Sequence, residues 1–142
     1  RENLEFPLRK FPEYANKSEQ LVLEALESVG LKSAIDLMPE ELSGGMKRRI
    51  ALARAIILRP KIIIYDEPTT GLDPITSKEI IELMKGIQQK FKTSSLIITH
   101  DMDCARVISN RMILLIDGIN YIEGTYTELA ASKDKKVQEF FK

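Results

Sequence analysis

The sequence predicts an α/β fold, because a helix-rich first part is followed by two short apolar strands with an amphipathic helix between them. The predicted strands are 62–65 and 96–99, and the connecting helix begins at Pro74 and extends to about Phe91. Continuous β-branched runs of this kind are typical of parallel strands buried on both faces. Of the 142 residues, 44% are hydrophobic, and 21 basic side chains balance 21 acidic ones, as in a globular domain.

Helices are predicted for most of the residues before the first strand. Two prolines interrupt residues 1–17, so this segment is expected to be extended. Ser18 is a candidate N-cap, and Gly30 is a candidate C-terminal stop. The helices expected from apolar spacing and from such boundary residues cover 18–29, 33–38 and 43–58.

Residues after the second strand predict a further helix, a hairpin and helical segments at the end. Asp117-Gly118 is suited to a tight turn between two strands, and Thr125 with Glu128 matches a capping box. Cys104, the single cysteine, is expected to be a small core residue and not a nucleophile. The predicted elements are a helix at 102–108, strands at 112–116 and 119–122, a short helix after Thr125, and a docked helix at 133–142 that buries Val137, Phe140 and Phe141.

The first candidate functional segment is Ser43-Gly44-Gly45, at the start of the 43–58 helix. Free amides at a helix N-terminus favour an anion, and glycines let a ligand approach the backbone closely. The segment is therefore a candidate phosphate site. A simple helix cap after a flexible turn remains open as an alternative.

The second candidate is the acidic pair Asp66-Glu67 at the end of the first strand. Ligands bind at the carboxyl ends of parallel strands, and a carboxylate there can hold Mg²⁺ beside phosphates. Because successive side chains of a strand point to opposite faces, Glu67 is expected to face away from Asp66. It could then orient or deprotonate a water molecule. A solvated acidic strand end is the alternative.

Two further candidates are the turn Thr69-Thr70-Gly71-Leu72-Asp73-Pro74, which leads into the next helix, and His100, which follows the second strand. Asp73 could be only a helix N-cap, and an isolated histidine is usually structural. What favours function is the order in which all four signals occur, each at a strand end or a helix start.

In this order the motifs resemble the second half of an ATP-binding-cassette (ABC) ATPase domain. Leu42–Gly45 resembles the signature motif, Ile62–Glu67 the Walker B strand, Gly71–Asp73 the D-loop, and His100 the switch histidine. The resemblance implies a partial P-loop NTPase fold, with a helical signature subdomain at 1–58 and the C-terminal half of the ATP-binding core at 59–142.

The same resemblance implies roles for individual residues. Glu67 and His100 are expected to be catalytic, Glu67 as the carboxylate and His100 as a contact of the γ-phosphate. Asp66 is expected to bind Mg²⁺. Ser43, Gly44, Gly45 and Asp73 are expected at the nucleotide site, the first three on ATP held by the opposite subunit of a dimer.

Softer features are similar to ATPases of the Mla/Mce type, which energise bacterial phospholipid transport between membranes. This resemblance implies a homodimer that works with a transmembrane permease and a lipid-binding Mce-type component, on the cytoplasmic face of the inner membrane. The residues that carry it are Phe6–Arg9, Leu37–Pro39, Met46–Arg49, Asp73–Thr76, Gly124-Thr125 and Phe140-Phe141.

The sequence departs from the ABC pattern in one respect, because it contains no G-x-x-x-x-G-K-[ST] phosphate loop. The chain begins with Arg1 and not Met, so we expect a piece of a longer protein that neither binds ATP tightly nor hydrolyses it alone.

Two other functions compete with transport. A soluble ABC ATPase acting on nucleic acid or ribosomes would use the basic residues of 47–59, but the balanced total charge and the absence of interleaved aromatic residues favour a solvated, partly paired helix face. A non-catalytic interaction module, which offers Ser43–Gly45 to a partner's ATP, is the other alternative. No apolar run approaches the length of a membrane span.

Overall fold

The computed structural model describes all 142 residues, in two compact units, Arg1–Ile98 and Thr99–Lys142. The helices are α1 (Glu2–Leu8), α2 (Ser18–Ser28), α3 (Gly44–Ile56), α4 (Pro74–Phe91), α5 (Met102–Ile108), α6 (Tyr126–Ala130) and α7 (Lys135–Gln138). The strands are β1 (Ile62–Asp66), β2 (Ser94–Ile98), β3 (Met112–Ile116) and β4 (Ile119–Gly124). Short 3₁₀ turns cover Pro12–Lys17, Lys32–Ala34, Pro39–Glu41 and Glu139–Phe141. No helix combines the length and the apolar character that crossing a bilayer requires.

The N-terminal segment is helical, so the prediction of an extended chain over residues 1–17 is wrong. Leu4 and Leu8 lie one turn apart in α1 and are only 2% and 3% exposed. Burying two leucines contributes about 3–6 kcal/mol, whereas a proline inside a helix costs about 3 kcal/mol. Pro7 lies inside α1 and has no amide hydrogen to donate, so the burial of the two leucines offsets its cost.

Helices α1, α2 and α3 pack on one another, and α3 also contacts α4. Their shared core is fully apolar and includes Val22, Leu26 and Ile56, each no more than 2% exposed. Helix α2 begins at Ser18, but this residue is inside the helix and does not cap it with its side chain. Gly30, with a φ of +68°, follows the end of α2 as predicted.

Strands β1 and β2 form a parallel pair joined by α4, which confirms the predicted βαβ unit. The register places Ile62 opposite Ser94 and Asp66 opposite Ile98. One face of the pair is covered, since Ile63 and Tyr65 are each 5% exposed. The other face is open, since Ile62 and Ile64 are each 65% exposed. The prediction that the strands are buried on both faces is therefore wrong for this two-stranded sheet.

The opposite face of this sheet is apolar and open. Its side chains are 45–65% exposed, because no element of the first unit covers them. They are Ile62, Ile64, Leu96 and Ile98.

The second unit is built on the antiparallel hairpin of β3 and β4. Asp117 and Gly118 both have positive φ, at 51° and 78°, as the predicted tight turn requires. Thr125 and Glu128 form the predicted capping box of α6. The buried cluster consists of Ala105, Met112, Leu114, Leu129 and Val137, with Met102, Ile122, Tyr126 and Phe141 packed against it.

Two predictions about the second unit are tested by burial. Cys104 is completely buried in α5, as expected of a core residue. The predicted terminal helix is shorter than expected, since α7 covers four residues and a 3₁₀ turn follows. Val137 is buried and Phe141 packs on the cluster, but Phe140 is 42% exposed, so its predicted burial is wrong.

The two compact units divide the chain by contacts, after Ile98. The predicted division into 1–58 and 59–142 follows architecture, with helices first and strands later. It stays a prediction about how the domain is organised.

Candidate functional site

The signature segment lies at the N-terminus of α3, where the structure places Ser43 as the N-cap. The Ser43 Oγ accepts a hydrogen bond from the Met46 amide at 3.2 Å. A Cβ on Gly44 would meet nothing within 4 Å, whereas one on Gly45 would lie 3.4 Å from the Thr76 Cγ2. Gly44 therefore faces open space, and Gly45 lies against the start of α4.

The acidic pair lies at the carboxyl end of β1, as predicted. Asp66 is the last residue of the strand and its side chain is exposed, whereas Glu67 is half-buried. The Glu67 amide donates to the carbonyl oxygen of Ile98 at 2.9 Å, which extends the β1–β2 ladder by one step. The two carboxylates therefore have different surroundings, in line with the different tasks expected of them.

Glu67 has an unusual backbone conformation, with a φ of 47°. A residue other than glycine in this left-handed region costs about 1–3 kcal/mol and persists only where its surroundings hold it. The Thr70 amide donates to the Glu67 carbonyl at 3.3 Å, and the Thr70 Oγ1 donates to the Glu67 Oε2 at 2.7 Å. A tight turn thus holds both the backbone and the carboxylate of Glu67.

Asp73 is the N-cap of α4, which confirms the capping role that the sequence analysis gave as an alternative for this residue. Its Oδ1 accepts hydrogen bonds from the amides of Ile75 and Thr76, both at 3.0 Å, and its Oδ2 accepts one from the Thr76 hydroxyl at 2.5 Å. These bonds, above all the one from the Thr76 hydroxyl, lower the pKa of Asp73 below its usual value of 3.8. Asp73 thus remains ionised in the folded chain at any pH near neutrality.

The Asp73 cap predicts a pH dependence of stability. Because its pKa is lower in the folded chain than in the unfolded chain, Asp73 stabilises the fold fully above pH 3.8, and this contribution disappears as the pH falls through the folded-state pKa. Asp73→Asn keeps the amide contacts but cannot titrate. Urea unfolding between pH 2.5 and 7 should show the wild-type advantage over Asp73→Asn shrinking in acid. A difference that is constant across this range would contradict the assignment.

His100 lies in the second unit, between the end of β2 and the start of α5, and its side chain is exposed. The next residue, Asp101, caps α5 by accepting from the amides of Asp103 and Cys104. This placement at a strand end agrees with the sequence-based expectation. The catalytic role of His100 stays a prediction.

Asp66 fits the chemistry of Mg²⁺ binding, although the chain has no cluster of three or more acidic, histidine or cysteine side chains for a metal ion. Mg²⁺ commonly uses only one or two protein carboxylates together with water and substrate phosphates. An exposed carboxylate at a parallel strand end meets that requirement. The role of Asp66 as an Mg²⁺ ligand stays a prediction.

Four of the five basic residues at 47–59 make side-chain hydrogen bonds, which confirms the prediction of a partly paired helix face. Arg49 joins three elements, because it donates to the Val29 carbonyl at 3.4 Å and to Glu79 of α4 at 2.7 Å. Arg48 donates to the Thr70 carbonyl at 2.9 Å. Arg54 reaches Asn3 and Arg59 reaches Glu24.

Thr70 lies in the candidate turn before α4 and Arg48 in the basic cluster of 47–59, but the sequence predicts no contact between them and no role for either beside Glu67. They are 22 positions apart in the chain. Their contact brings the helix that starts at the signature segment to the turn that holds Glu67. Only the tertiary structure could reveal this connection.

Comparison with known proteins agrees with the motifs. The family model described as ABC transporter matches residues 1–70. The ATP-binding protein MlaF of the intermembrane phospholipid transport system of Haemophilus influenzae is 42% identical over 99% of this chain and 54% of its own length. The methionine import ATP-binding protein MetN of Streptococcus pyogenes is 39% identical over 99% of this chain and 40% of its own length.

Solved structures show the same fold. That of cbiO1 from Clostridium perfringens, part of the ABC transporter complex cbiONQ, has a TM-score of 0.82 and 30% identity, covering 92% of this chain and 52% of the other. In sequence and in fold, the chain is similar to the ATP-binding domains of ABC transporters. The dimeric cassette MJ0796 bound to ADP and Pi has a TM-score of 0.66 and 33% identity, covering 79% of this chain and 48% of its own. The predicted partial P-loop NTPase fold of ABC ATPases is thus confirmed.

The chain spans about half the length of the relatives it matches. The four predicted motifs of this chain lie at the start of α3, at the end of β1, in the turn before α4 and directly after β2. The first three motifs lie in the first unit, and residues beside them are in contact, since Arg48 of α3 donates to the carbonyl of Thr70 in the turn after β1.

Proposed function

We propose that the full-length protein containing this chain is the ATP-binding and ATP-hydrolysing subunit of a membrane transporter and works as a dimer. One observation carries the proposal: two consecutive hydrogen bonds join α3 to the turn before α4 and that turn to the carboxylate of Glu67. Arg48 reaches the carbonyl of Thr70, and Thr70 holds the carboxylate of Glu67. Such an assembly suits phosphoryl transfer to water, where catalysis is mainly positioning and electrostatic stabilisation.

The residues of this chain take distinct roles in the proposed reaction. Glu67 orients the attacking water molecule and accepts its proton. Asp66 holds Mg²⁺, which when bound neutralises charge on the ATP phosphates. The free amides at Ser43–Gly45 donate hydrogen bonds to phosphate oxygens of ATP held by the opposite subunit.

Two further residues have roles in the proposed reaction. Asp73 caps α4 and keeps the preceding turn in place, next to the nucleotide. His100 contacts the γ-phosphate.

A groove in the first unit supports the proposed permease partner. Residues of α1, the 34–42 segment and α3 line a cavity of about 880 Å³. Phe6, Leu37 and Met38 present apolar surface there, at 59%, 38% and 62% exposure. Arg9 and Lys47 lie among the lining residues, so the groove suits a short amphipathic segment of a membrane subunit.

For the transported substrate, we propose a phospholipid, by analogy with the 42% identical MlaF relative. The complete system then includes a lipid-binding Mce-type component, and the ATPase lies at the cytoplasmic face of the inner membrane. Methionine import is a second candidate, since MetN is 39% identical.

The first test is whether the full-length protein hydrolyses Mg²⁺-ATP as a dimer. Purified protein should show a specific ATPase activity that rises with protein concentration, and light scattering should detect an ATP-dependent dimer. A concentration-independent rate from a monomer would contradict the dimer. An ATP-binding protein without turnover would instead favour a non-catalytic module.

The second test addresses the substrate. The ATPase is reconstituted with its permease in vesicles and assayed with added phospholipid or with methionine. Stimulation by phospholipid alone supports the lipid proposal, and stimulation by methionine alone overturns it. Salt-sensitive binding to RNA or DNA, with no response to either substrate, would favour the nucleic-acid alternative.

A further inference from the structure

The carboxylate of Glu67 is held by a side chain that carries no charge. The Thr70 hydroxyl donates to the Glu67 Oε2 at 2.7 Å, while the Thr70 amide donates to the Glu67 carbonyl at 3.3 Å. Glutamate has several rotatable bonds, so an unrestrained carboxylate would occupy many positions. The Thr70 hydroxyl restricts these positions.

Thr70 is itself attached to α3. The Arg48 Nη2 donates to the Thr70 carbonyl at 2.9 Å, and Arg48 lies just over one turn after the Ser43 N-cap. The four consecutive bonded groups are therefore the α3 backbone, the Arg48 guanidinium, the Thr70 peptide and hydroxyl, and the Glu67 carboxylate. This chain of contacts connects the signature segment to the strand-end carboxylate.

We infer that Thr70 and Arg48 are positioning residues for Glu67, and that they couple the location of α3 to the location of the Glu67 carboxylate. The inference rests on the proposed hydrolytic function. When an anion occupies the N-terminus of α3, the helix is held in place, and Arg48 and Thr70 then hold Glu67 where it can orient water. Loss of either contact removes one restraint on the position of the carboxylate and leaves the carboxylate itself in place.

The test uses the full-length protein and measures kcat and KM for ATP. Thr70→Val keeps the side-chain shape but removes the hydroxyl, and we expect kcat to fall about tenfold while KM changes less than about twofold. Thr70→Ser restores the donor, and its kcat should be close to that of the wild type. Thr127→Val, on the exposed face of α6, is the matched control and should leave both parameters unchanged.

Arg48→Ala removes the other contact and should also lower kcat with little effect on KM. Since both variants break one chain of contacts, the double variant should lose much less than the product of the two single losses. Arg106→Ala, which removes an exposed arginine of α5 paired with Asp103, is its control. A purely structural role of Arg48 would lower the melting temperature, without the selective fall in kcat.

The variant Glu67→Gln distinguishes failure of the positioning role from failure of the proposed hydrolytic function. If Glu67→Gln is inactive but folded Thr70→Val and Arg48→Ala turn over like the wild type, the positioning role is overturned and the hydrolytic function stands. If Glu67→Gln itself turns over normally, both are overturned. Should Thr70→Val not fold, Thr70→Ala is measured in the same way and decides the question.

Discussion

Replacing Glu67 by glutamine in the full-length protein is expected to lower the ATP turnover number by at least about 100-fold, the usual scale for removing a general base. Glutamine has nearly the same shape but cannot accept the proton of the attacking water. ATP binding does not require that step, so the variant should still form the ATP-dependent dimer. Phosphate release and light scattering measure the two properties on the same sample.

The matched control is Glu82→Gln, on the exposed side of α4, where Glu82 pairs only with Lys85. This variant should retain the turnover of the wild type. Equal turnover in Glu67→Gln and Glu82→Gln would remove Glu67 from the catalytic role. Loss of the ATP-dependent dimer in Glu67→Gln would show that the carboxylate acts in nucleotide binding instead.

The second large effect concerns stability. Ile80 in α4 is 1% exposed, and we expect Ile80→Ala to lower the free energy of unfolding by about 2–5 kcal/mol, because it loses buried methyl groups and leaves a cavity. Ile75 lies on the same helix and is 73% exposed. The same substitution there should change stability by no more than about 0.5 kcal/mol. Urea unfolding followed by circular dichroism compares the two.

The paired design tests the position of α4 and not only its existence. Equal losses at Ile80 and Ile75 would mean that the helix buries a different face from the one observed. A small loss at both positions would mean that α4 contributes little to the core. Only a large difference between the two variants agrees with the structure.

The proposed chain of contacts from α3 to Glu67 suggests why the signature helix and the strand-end acidic residues occur in one polypeptide. Ser43–Gly45 and Glu67 have separate chemical tasks, yet Arg48 and Thr70 join them through two hydrogen bonds. An exposed hydrogen bond contributes little to stability. Its consequence here is geometric, since water attack depends on where the carboxylate points.

Local signals in the sequence predicted much of the fold. Ser43, Asp73 and Thr125 were each recognised at a helix start, and each side chain accepts a hydrogen bond from a backbone amide of the helix that it caps. The Asp117-Gly118 turn was equally local, because two residues with positive φ suffice to join the strands. These features depend on neighbours within a few positions and were therefore readable in advance.

Two predictions failed because they depend on what lies across space. Residues 1–17 were expected to be extended, but burial of Leu4 and Leu8 outweighs the cost of Pro7 and makes α1. The apolar run of β1 predicted cover on both faces, yet Ile62 and Ile64 are each 65% exposed. Periodicity shows which side chains could be buried, but it does not show which element covers them.

The candidate site also combines features that local sequence predicts with features that depend on tertiary packing. The sequence by itself determined the residue types and their order, from Ser43–Gly45 through Asp66 and Glu67, because motif chemistry depends on local spacing. Only the tertiary structure decided that Arg48 and Thr70 lie between them. The reason is that a hydrogen bond joining residues 22 positions apart depends on how α3 packs beside the β1 turn, and local spacing does not specify that packing.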